Sequence, residues 1–273
     1  MSEVARIDAV AQRLLAALDA AQTIALPSAP DRSFMLADAF AVGMRLSELR
    51  SARGERALGY KIGFTNRGIW ARYGVHAPIW GPVWNSTTTL LDGRTHTASL
   101  TGLCQPRLEP EVVFGFARTP RAGMSLAALA GCLDWVAHGF EIVHTHFEGW
   151  RFQAADCLAD FALHGRLFVG PRVAVAQFSD LAADTSTLSV ALHERSRGLV
   201  ETGHANIVLD GPLNALRLWV DAMAEHTPDW HVGPGTLVTT GTITDAWPIA
   251  PGESWRTTLS DPRLSGLELN LVA

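Results

Sequence analysis

The apolar residues at the start of the chain recur with the period of an α-helix. Six of them, spaced three or four residues apart, form one stripe: Val4, Ile7, Val10, Leu14, Leu15 and Leu18. A proline-containing segment over 26–32 interrupts this pattern, and a second helical pattern follows over 34–49. We therefore predict two N-terminal helices, followed by a short helix that Asn66 caps and that ends at Gly74.

From about residue 77 the pattern changes to short runs that are rich in β-branched or aromatic residues and bounded by glycine or proline, which is typical of strands. These runs are 87–91, 111–116, 140–143, 166–169, 235–240 and 267–272. Helical patterns return over 126–136, after a capping Ser125, and over 212–225, which begins with a proline. The pattern predicts an α+β fold with a small helical N-terminal region, residues 1–75, and a mostly antiparallel β domain, residues 76–273.

Composition narrows the classes of function. The chain has 273 residues, of which 48% are hydrophobic and 18% charged, with a formal net charge of −5. An acidic chain lacks the clustered base that nucleic-acid binding needs, and no stretch approaches the roughly 18 apolar residues of a membrane helix. The three cysteines are widely spaced, which favours reduced thiols. We expect a soluble, cytoplasmic protein without nucleic-acid or membrane partners.

Two carboxylates stand close together at the start of a predicted strand. Glu109 and Glu111 are two residues apart, so in a strand both point to one face, and that face continues into the apolar Val113. Carboxylates beside an apolar surface repel each other unless a partner neutralises them, and a divalent cation would do so. The alternative is an exposed strand start with two solvated acids.

A third carboxylate, Glu141, lies between bulky apolar residues in another predicted strand. An unpaired carboxylate is costly there, so Glu141 needs either an arginine or a metal shared with the other two acids. Three carboxylates without a thiolate or imidazole favour Mg²⁺ or Mn²⁺. His144 and His146 form a competing metal-binding pair, but in a regular strand both face away from Glu141, which favours structural or substrate contacts.

Lys61 is the single lysine among the 22 basic residues, and Gly59 and Gly63 flank it closely. Arginine cannot lose its proton near neutral pH whereas a desolvated lysine can, so a proton-transfer step would require lysine here. The alternative is an ordinary surface lysine in a loop. A threonine-rich rim, residues 239–242, either holds a substrate carboxylate or is a plain strand and turn.

Together these motifs resemble the fumarylacetoacetate hydrolase superfamily, in the branch of 2-keto-4-pentenoate hydratases and 4-oxalocrotonate decarboxylases. The resemblance rests on segments 59–65, 73–75, 79–81, 106–111, 140–143, 159–160, 212–216 and 240–242. It implies a mixed β-roll, homo-oligomers and a lyase of aromatic-compound degradation that acts on a 2-keto or 2-hydroxydienoic acid. Hydration is the first expectation, and decarboxylation of a 4-oxalocrotonate-type acid is the alternative.

The resemblance also assigns roles. The metal ligands would be Glu109, Glu111 and Glu141, holding Mg²⁺ with Mn²⁺ as a substitute. The candidate catalytic residues are Lys61, His144 and Asp160, and the candidate substrate-binding residues are Arg107, Thr240 and Gly241. A 2-keto acid would chelate the metal, which would stabilise the enolate formed next to the ketone.

The chain departs from the family pattern at two places. His144 stands where such hydratases usually have an aspartate, and 161–164 replaces an asparagine followed by small residues. The departures predict a bulkier, more apolar pocket, with Trp80, Trp84 and Trp150 as contributors. They also leave two alternatives open: hydrolysis of a C–C bond in a diketo acid, with His144 or His164 as base, and a catalytically weak subunit in complex with a paired pathway enzyme.

Overall fold

The computed structural model describes residues 2–29, 33–227 and 230–273. The helices are α1 Glu3–Ala20, α2 Leu36–Ala52, α3 Trp70–Tyr73, α4 Leu126–Ala130, α5 Ala154–Ala159, α6 Leu181–Ser186 and α7 Pro212–His226. The strands are β1 Ala57–Gly63, β2 Ile79–Trp84, β3 Thr88–Leu90, β4 Thr95–Ser99, β5 Arg107–Phe116, β6 Leu133–Val143, β7 His164–Val169, β8 Val173–Ala174, β9 Ser189–Glu194, β10 Gly198–His204, β11 Leu237–Thr242, β12 Trp247–Pro248, β13 Ser254–Leu259 and β14 Glu268–Val272.

The two N-terminal helices form as their apolar stripes predict. The hydroxyl of Ser2 accepts the Ala5 amide at the start of α1, whose buried side chains include Leu14. The helices α1 and α2 pack on α5, where Leu14, Val42 and Leu158 share one apolar core. Within the described ranges, no helix is long and apolar enough to cross a membrane.

Two sheets make up the rest of the molecule. The larger sheet has the order β2-β1-β11-β5-β6-β7-β3, with β12 beside β5 and β8 beside β6, and the smaller has the order β10-β9-β13-β14-β4. Parallel pairs (β1 with β11, β3 with β7, β4 with β14) occur among antiparallel ones. An apolar core that includes Leu108 and Ile142 from the larger sheet and Trp255 from the smaller joins the two sheets. The expected α+β fold with a mixed β-roll is confirmed.

One predicted helix is wrong in length. The helical pattern over 126–136 ends at Ala130, because the residues after it enter β6, where Leu133 pairs with Phe116 and Val136 with Phe114. Pairing with β5 along the whole of β6 outweighs the local helical preference. The strand β1 lies inside the larger sheet although its residues precede 75, and the proposed division of the chain at residue 75 stays a prediction.

The larger sheet presents one face to the functional site. On that face Val113 of β5 and Ala137 of β6 pack with Leu167 and Leu237 in a small apolar cluster. Side chains alternate along a strand, so Glu109 and Glu111 share the face of Val113, and Glu141 shares the face of Ala137. The sheet therefore delivers three carboxylates to the edge of an apolar patch.

Candidate active site

The three glutamates come together at one place. The register of β5 and β6 sets Glu109 directly opposite Glu141, while Glu111 follows two residues further along β5. Carboxylate oxygens of the three residues all lie within 4.8 Å of one another. The alternation along β5 and the cross-strand register of β6 together produce this carboxylate trio, Glu109, Glu111 and Glu141.

Glu111 has one satisfied and one unsatisfied oxygen. Its Oε2 accepts the hydroxyl of Thr239 and, at 2.8 Å, the amide of Gly241. Its Oε1 is buried and has no hydrogen-bond partner in the described part of the chain. Burial and the charges of Glu141 and Glu109 raise the pKa of Glu111 well above its ordinary value. A buried, unpaired carboxylate oxygen within an all-oxygen set fits a hard divalent cation.

Glu141 lies between two partners. Its Oε2 is 3.0 Å from the Nζ of Lys61, and its Oε1 is 2.8 Å from the Nδ1 of His164. Burial alone raises the pKa of Glu141, but Lys61 and His164 outweigh burial and lower this pKa below its ordinary value. Glu141 is therefore held as a carboxylate, and its partner is the lysine rather than the arginine considered as an alternative.

The carboxylates also determine the charge of Lys61. Burial disfavours the ammonium, but Glu141, Glu109 and Glu111 outweigh burial and raise the pKa of Lys61 above its ordinary value. Burial raises the pKa of Glu109 to about 7, because the nearby Lys61 offsets only part of the desolvation. In the absence of a cation, Lys61 is thus a buried, protonated donor that contacts Glu141.

An unusual turn directly before His164 directs its ring toward Glu141. The Nε2 of His164 is 2.8 Å from the hydroxyl of Thr87, so both ring nitrogens are engaged. The three residues before it, Phe161, Ala162 and Leu163, have φ angles of 54°, 49° and 65°. Non-glycine residues in this left-handed region cost about 1 kcal/mol or more each. The surrounding contacts hold this turn and thereby place His164.

Asp160, which precedes the turn, lies behind the site. Its carboxylate accepts the Thr145 hydroxyl at 3.0 Å and the His146 amide at 2.9 Å, and it lies 2.5 Å from the His146 Nδ1. Asp160 is buried and does not line the cleft described below. These hydrogen bonds connect residues 145–146, which follow β6, to the C-terminal end of α5.

His144 also lies away from the carboxylates. Its Nδ1 accepts the Cys104 amide at 3.2 Å, and burial lowers the pKa of His144 to about 3, so the ring is neutral. Like Asp160, it is absent from the cleft wall. Of the three candidate catalytic residues, only Lys61 faces the cleft.

A cleft of about 300 Å³ opens onto Lys61 and Glu109. Its other lining residues are Ile62, Gly63, Phe64, Thr65, Asn66, Ile69, Tyr73, Ile79, Arg107, Val143, Trp150, Phe152, Cys157, Ala162, Leu163, Gly241, Thr242, Thr244, Asp245 and Ala246. Two candidate substrate-binding residues, Arg107 and Gly241, are among them. Trp80 and Trp84 are instead buried in the protein interior and do not reach this cleft.

The third candidate substrate-binding residue, Thr240, does not line the cleft. Its hydroxyl donates to the carbonyl of Val112 at 3.0 Å, on the opposite side of β11 from Thr239. Thr239, which pairs with Val113 and Lys61 in the neighbouring strands, is the threonine that reaches Glu111. Sequence reasoning placed both threonines in one rim, and the alternation of side chains along a strand is the signal that separates them.

Gly241 is required by two features of the backbone. Its φ angle is 102°, and a Cβ atom there would lie 1.9 Å from the Thr65 hydroxyl oxygen. Its amide is also one of the two donors to Glu111. This glycine lets β11 and the segment after β1 approach closely at the carboxylate trio.

We expect Gly241→Ala to lower the free energy of unfolding by about 2–4 kcal/mol, because a left-handed alanine and the overlap with Thr65 both destabilise the native state. Denaturant titration measures this loss. Gly252→Ala is the matched control: Gly252 has a φ angle of 90° but no atom within 4 Å of the added Cβ, so only the backbone cost of about 1 kcal/mol remains. Equal losses in the two variants would contradict the steric argument.

Comparison with known proteins places this geometry in context. No protein-family model matches the sequence. A solved structure of 4-oxalocrotonate decarboxylase from Pseudomonas putida G7, complexed with magnesium and adipate, superposes with a TM-score of 0.89 at 24% identity, covering 100% of this chain and 99% of that one. The fold is therefore that of the fumarylacetoacetate hydrolase type.

Two sequence relatives identify the branch. The 2-hydroxyhexa-2,4-dienoate hydratase of Comamonas testosteroni is 31% identical over 190 residues, which cover 69% of this chain and 72% of that protein. The 4-oxalocrotonate decarboxylase of Pseudomonas sp. (strain CF600) is 29% identical over 227 residues, covering 82% of this chain and 81% of the relative. The chain belongs to the hydratase and decarboxylase branch of the fumarylacetoacetate hydrolase superfamily, and it is an enzyme of the lyase type.

Proposed function

We propose that this chain is a divalent-metal-dependent lyase that acts on a 2-keto or 2-hydroxydienoic acid of aromatic-compound degradation, and that its main reaction is hydration. The observation that carries the proposal is the carboxylate trio, which lies beside Lys61 at a cleft and contains a buried, unpaired Oε1 of Glu111. The relative that acts on 2-hydroxyhexa-2,4-dienoate supports the substrate class.

The trio would hold Mg²⁺, with Mn²⁺ as a substitute, because hard oxygen ligands suit these ions. When bound, the metal supplies Lewis acidity that stabilises negative charge developing on the 2-oxygen of the acid. The solved neighbour that contains magnesium supports this assignment. Gly241 and Thr239 orient Glu111, and His164 orients Glu141, so the protein fixes two of the three carboxylates before any ion binds.

Lys61 is the proposed proton-transfer group. Its Nζ carries a proton 3.0 Å from Glu141 and faces the cleft, where it can protonate the conjugated chain of the acid. In hydration, the hydroxide part of water adds to one carbon of the double bond, Lys61 protonates the other, and the remaining proton of the water restores Lys61. Arg107, which also faces the cleft, is a proposed substrate-binding residue.

Asp160 and His144 have other roles in this proposal. Asp160 positions the left-handed turn that leads to His164, and His144 stabilises the backbone at Cys104. A C–C bond hydrolase that uses either histidine as base receives no support from the contacts, since His144 is outside the cleft and both nitrogens of His164 are engaged.

A 4-oxalocrotonate-type decarboxylase remains the second candidate. The relative from Pseudomonas sp. (strain CF600) favours it over most of the chain. The same site would then stabilise the charge left behind when CO₂ leaves a vinylogous keto acid. Homo-oligomers and a complex with a paired pathway enzyme stay predictions.

Turnover assays separate these functions. After treatment with EDTA, we expect the chain to hydrate 2-hydroxyhexa-2,4-dienoate only once Mg²⁺ or Mn²⁺ is added, followed by loss of the dienol absorbance and detection of the hydrated product. Release of CO₂ from 4-oxalocrotonate, with little hydration, would favour the decarboxylase. Metal binding without turnover until a paired enzyme is added would favour the partner subunit. Turnover that survives complete removal of metal would contradict the proposal.

A further inference from the structure

A row of aromatic rings lines the cleft beside the carboxylate trio. Ring centroids are 5.1 Å apart for Phe64 and Tyr73, 5.7 Å for Tyr73 and Phe152, and 6.0 Å for Phe152 and Trp150. All four side chains are half-buried and face the cleft. We refer to Phe64, Tyr73, Phe152 and Trp150 as the aromatic arc. Such a surface favours a flat, apolar ligand group.

The backbone at Trp150 is strained. Its φ angle is 58°, a conformation that bulky residues rarely adopt. The indole Nε1 donates to the carbonyl of Gln105 at 3.0 Å, and the Gln105 side chain donates to the carbonyls of Thr145 and Phe147 and accepts the Gly149 amide. Several bonds therefore hold the turn that presents Trp150, as expected where strain serves a ligand site.

Arg107 links the aromatic arc to the carboxylate trio. Its guanidinium lies 4.2 Å from the centroid of the Trp150 ring. Arg107 is two residues before Glu109 on β5, a separation of about 7 Å along a strand. An acid bound at the trio would therefore extend its distant carbons, rather than its reacting carbons, toward Trp150.

We propose that Trp150, with Phe152 and Tyr73, binds an apolar tail of the substrate and makes the enzyme selective for 2-hydroxydienoates that carry an alkyl or aryl group beyond the fifth carbon. The inference rests on the proposed function and adds the chemistry of the tail. Aromatic faces bury alkyl and aryl groups favourably. A second carboxylate at the same place would contact ring carbons, and the attraction of Arg107 for it would be opposed by the two acids of the cleft, Glu109 and Asp245.

Binding of saturated 2-oxo acids tests the tail separately from turnover. Calorimetry with Mn²⁺ present compares 2-oxopentanoate, 2-oxohexanoate, 2-oxoheptanoate, 4-phenyl-2-oxobutanoate and 2-oxoadipate. We expect affinity to rise about threefold to fourfold with each added methylene. 2-Oxoadipate should bind more weakly than 2-oxohexanoate, which has the same carbon chain without the second carboxylate.

Two variants locate the effect. Trp150→Ala should lose about tenfold in affinity for the longest alkyl and phenyl tails and progressively less for shorter ones. Trp150→Phe keeps a ring and should retain most of the dependence on tail length. Trp135→Ala is the matched control, because Trp135 is also half-buried under an arginine, with Arg172 5.8 Å from its ring, but lies outside the cleft. The Trp135→Ala variant should bind the 2-oxo acids with the same dependence on tail length as the unmodified protein.

The possible results separate the two proposals. Equal losses for every acid in Trp150→Ala, a flat series in the unmodified protein, or tightest binding of 2-oxoadipate would overturn the tail assignment while leaving the proposed function intact. If none of the acids binds in the presence of Mn²⁺, both proposals fail. Melting temperature and Mn²⁺ affinity check that each variant is folded, and the series in the unmodified protein decides the question even if Trp150→Ala does not fold.

Discussion

Glu141→Gln is expected to abolish metal-dependent turnover, with a fall in kcat of about 1000-fold or more. The substitution keeps the size of the side chain but removes the charge that lies 3.0 Å from Lys61 Nζ and opposite Glu109. It thus removes one proposed metal ligand and the partner of the proposed proton-transfer group together. We expect Mn²⁺ affinity, measured by calorimetry, to fall by at least about 100-fold.

Glu194→Gln provides the control for this result. Glu194 is also a buried carboxylate, bonded to Ser196 and Arg197, but it lies on β9 in the smaller sheet, away from the cleft. The control should retain turnover and Mn²⁺ affinity, whatever its effect on stability. Full activity of Glu141→Gln, or of Glu109→Gln, would refute the metal site.

Lys61→Arg should keep the positive charge and lose the chemistry. The carboxylates raise the pKa of Lys61, so release of its proton requires a bound cation that offsets their charge. Arginine can pair with Glu141 but retains its proton even then, and its larger planar head must fit where Lys61 is buried. We expect kcat to fall by at least about 100-fold, the usual contribution of a positioned acid or base. Mn²⁺ affinity should stay within about threefold of the unmodified protein, because the charge beside the trio is conserved.

Lys61→Met separates charge from proton transfer. Without the ammonium that repels a divalent ion, Mn²⁺ should bind about tenfold more tightly, while turnover stays as low as in Lys61→Arg. If both variants lose turnover while Mn²⁺ binds as tightly as before or more tightly, Lys61 acts in proton transfer rather than in metal binding. An arginine variant with unmodified kcat would show that the charge of Lys61 suffices.

The sequence located the carboxylate trio because simple rules govern strands. Alternation along one strand placed Glu109 and Glu111 on one face, and the apolar neighbours of Glu141 indicated a buried acid in need of a partner. The pairing of Glu109 with Glu141 required knowledge of the register between β5 and β6. That register depends on the whole hairpin, so neither segment alone determines it.

The residues around the trio were harder to predict because their directions depend on irregular backbone. The left-handed turn at Phe161 and Leu163 directs His164 toward Glu141 and leaves Asp160 behind the wall, and no periodic pattern encodes such a turn. The sequence also did not show which of the tryptophans line the cleft. Trp80 is buried in the interior whereas Trp150 faces the cleft, and the strained φ angle that distinguishes Trp150 is visible only in the structure.

The parallel pairing of β1 with β11 has a consequence for how the enzyme is made. Glu109, Glu111 and Glu141 meet in the β5–β6 hairpin, which forms from neighbouring parts of the chain. Lys61 and Thr239 pair although 178 positions of the 273-residue chain separate them, and such long-range parallel contacts form slowly. The two strands of the acidic hairpin also precede, in the chain, the strand that supplies Thr239 and Gly241. The strand β11 donates the Thr239 hydroxyl and the Gly241 amide to Glu111, so the cluster of repelling acids becomes an ordered site only when this distant strand has paired.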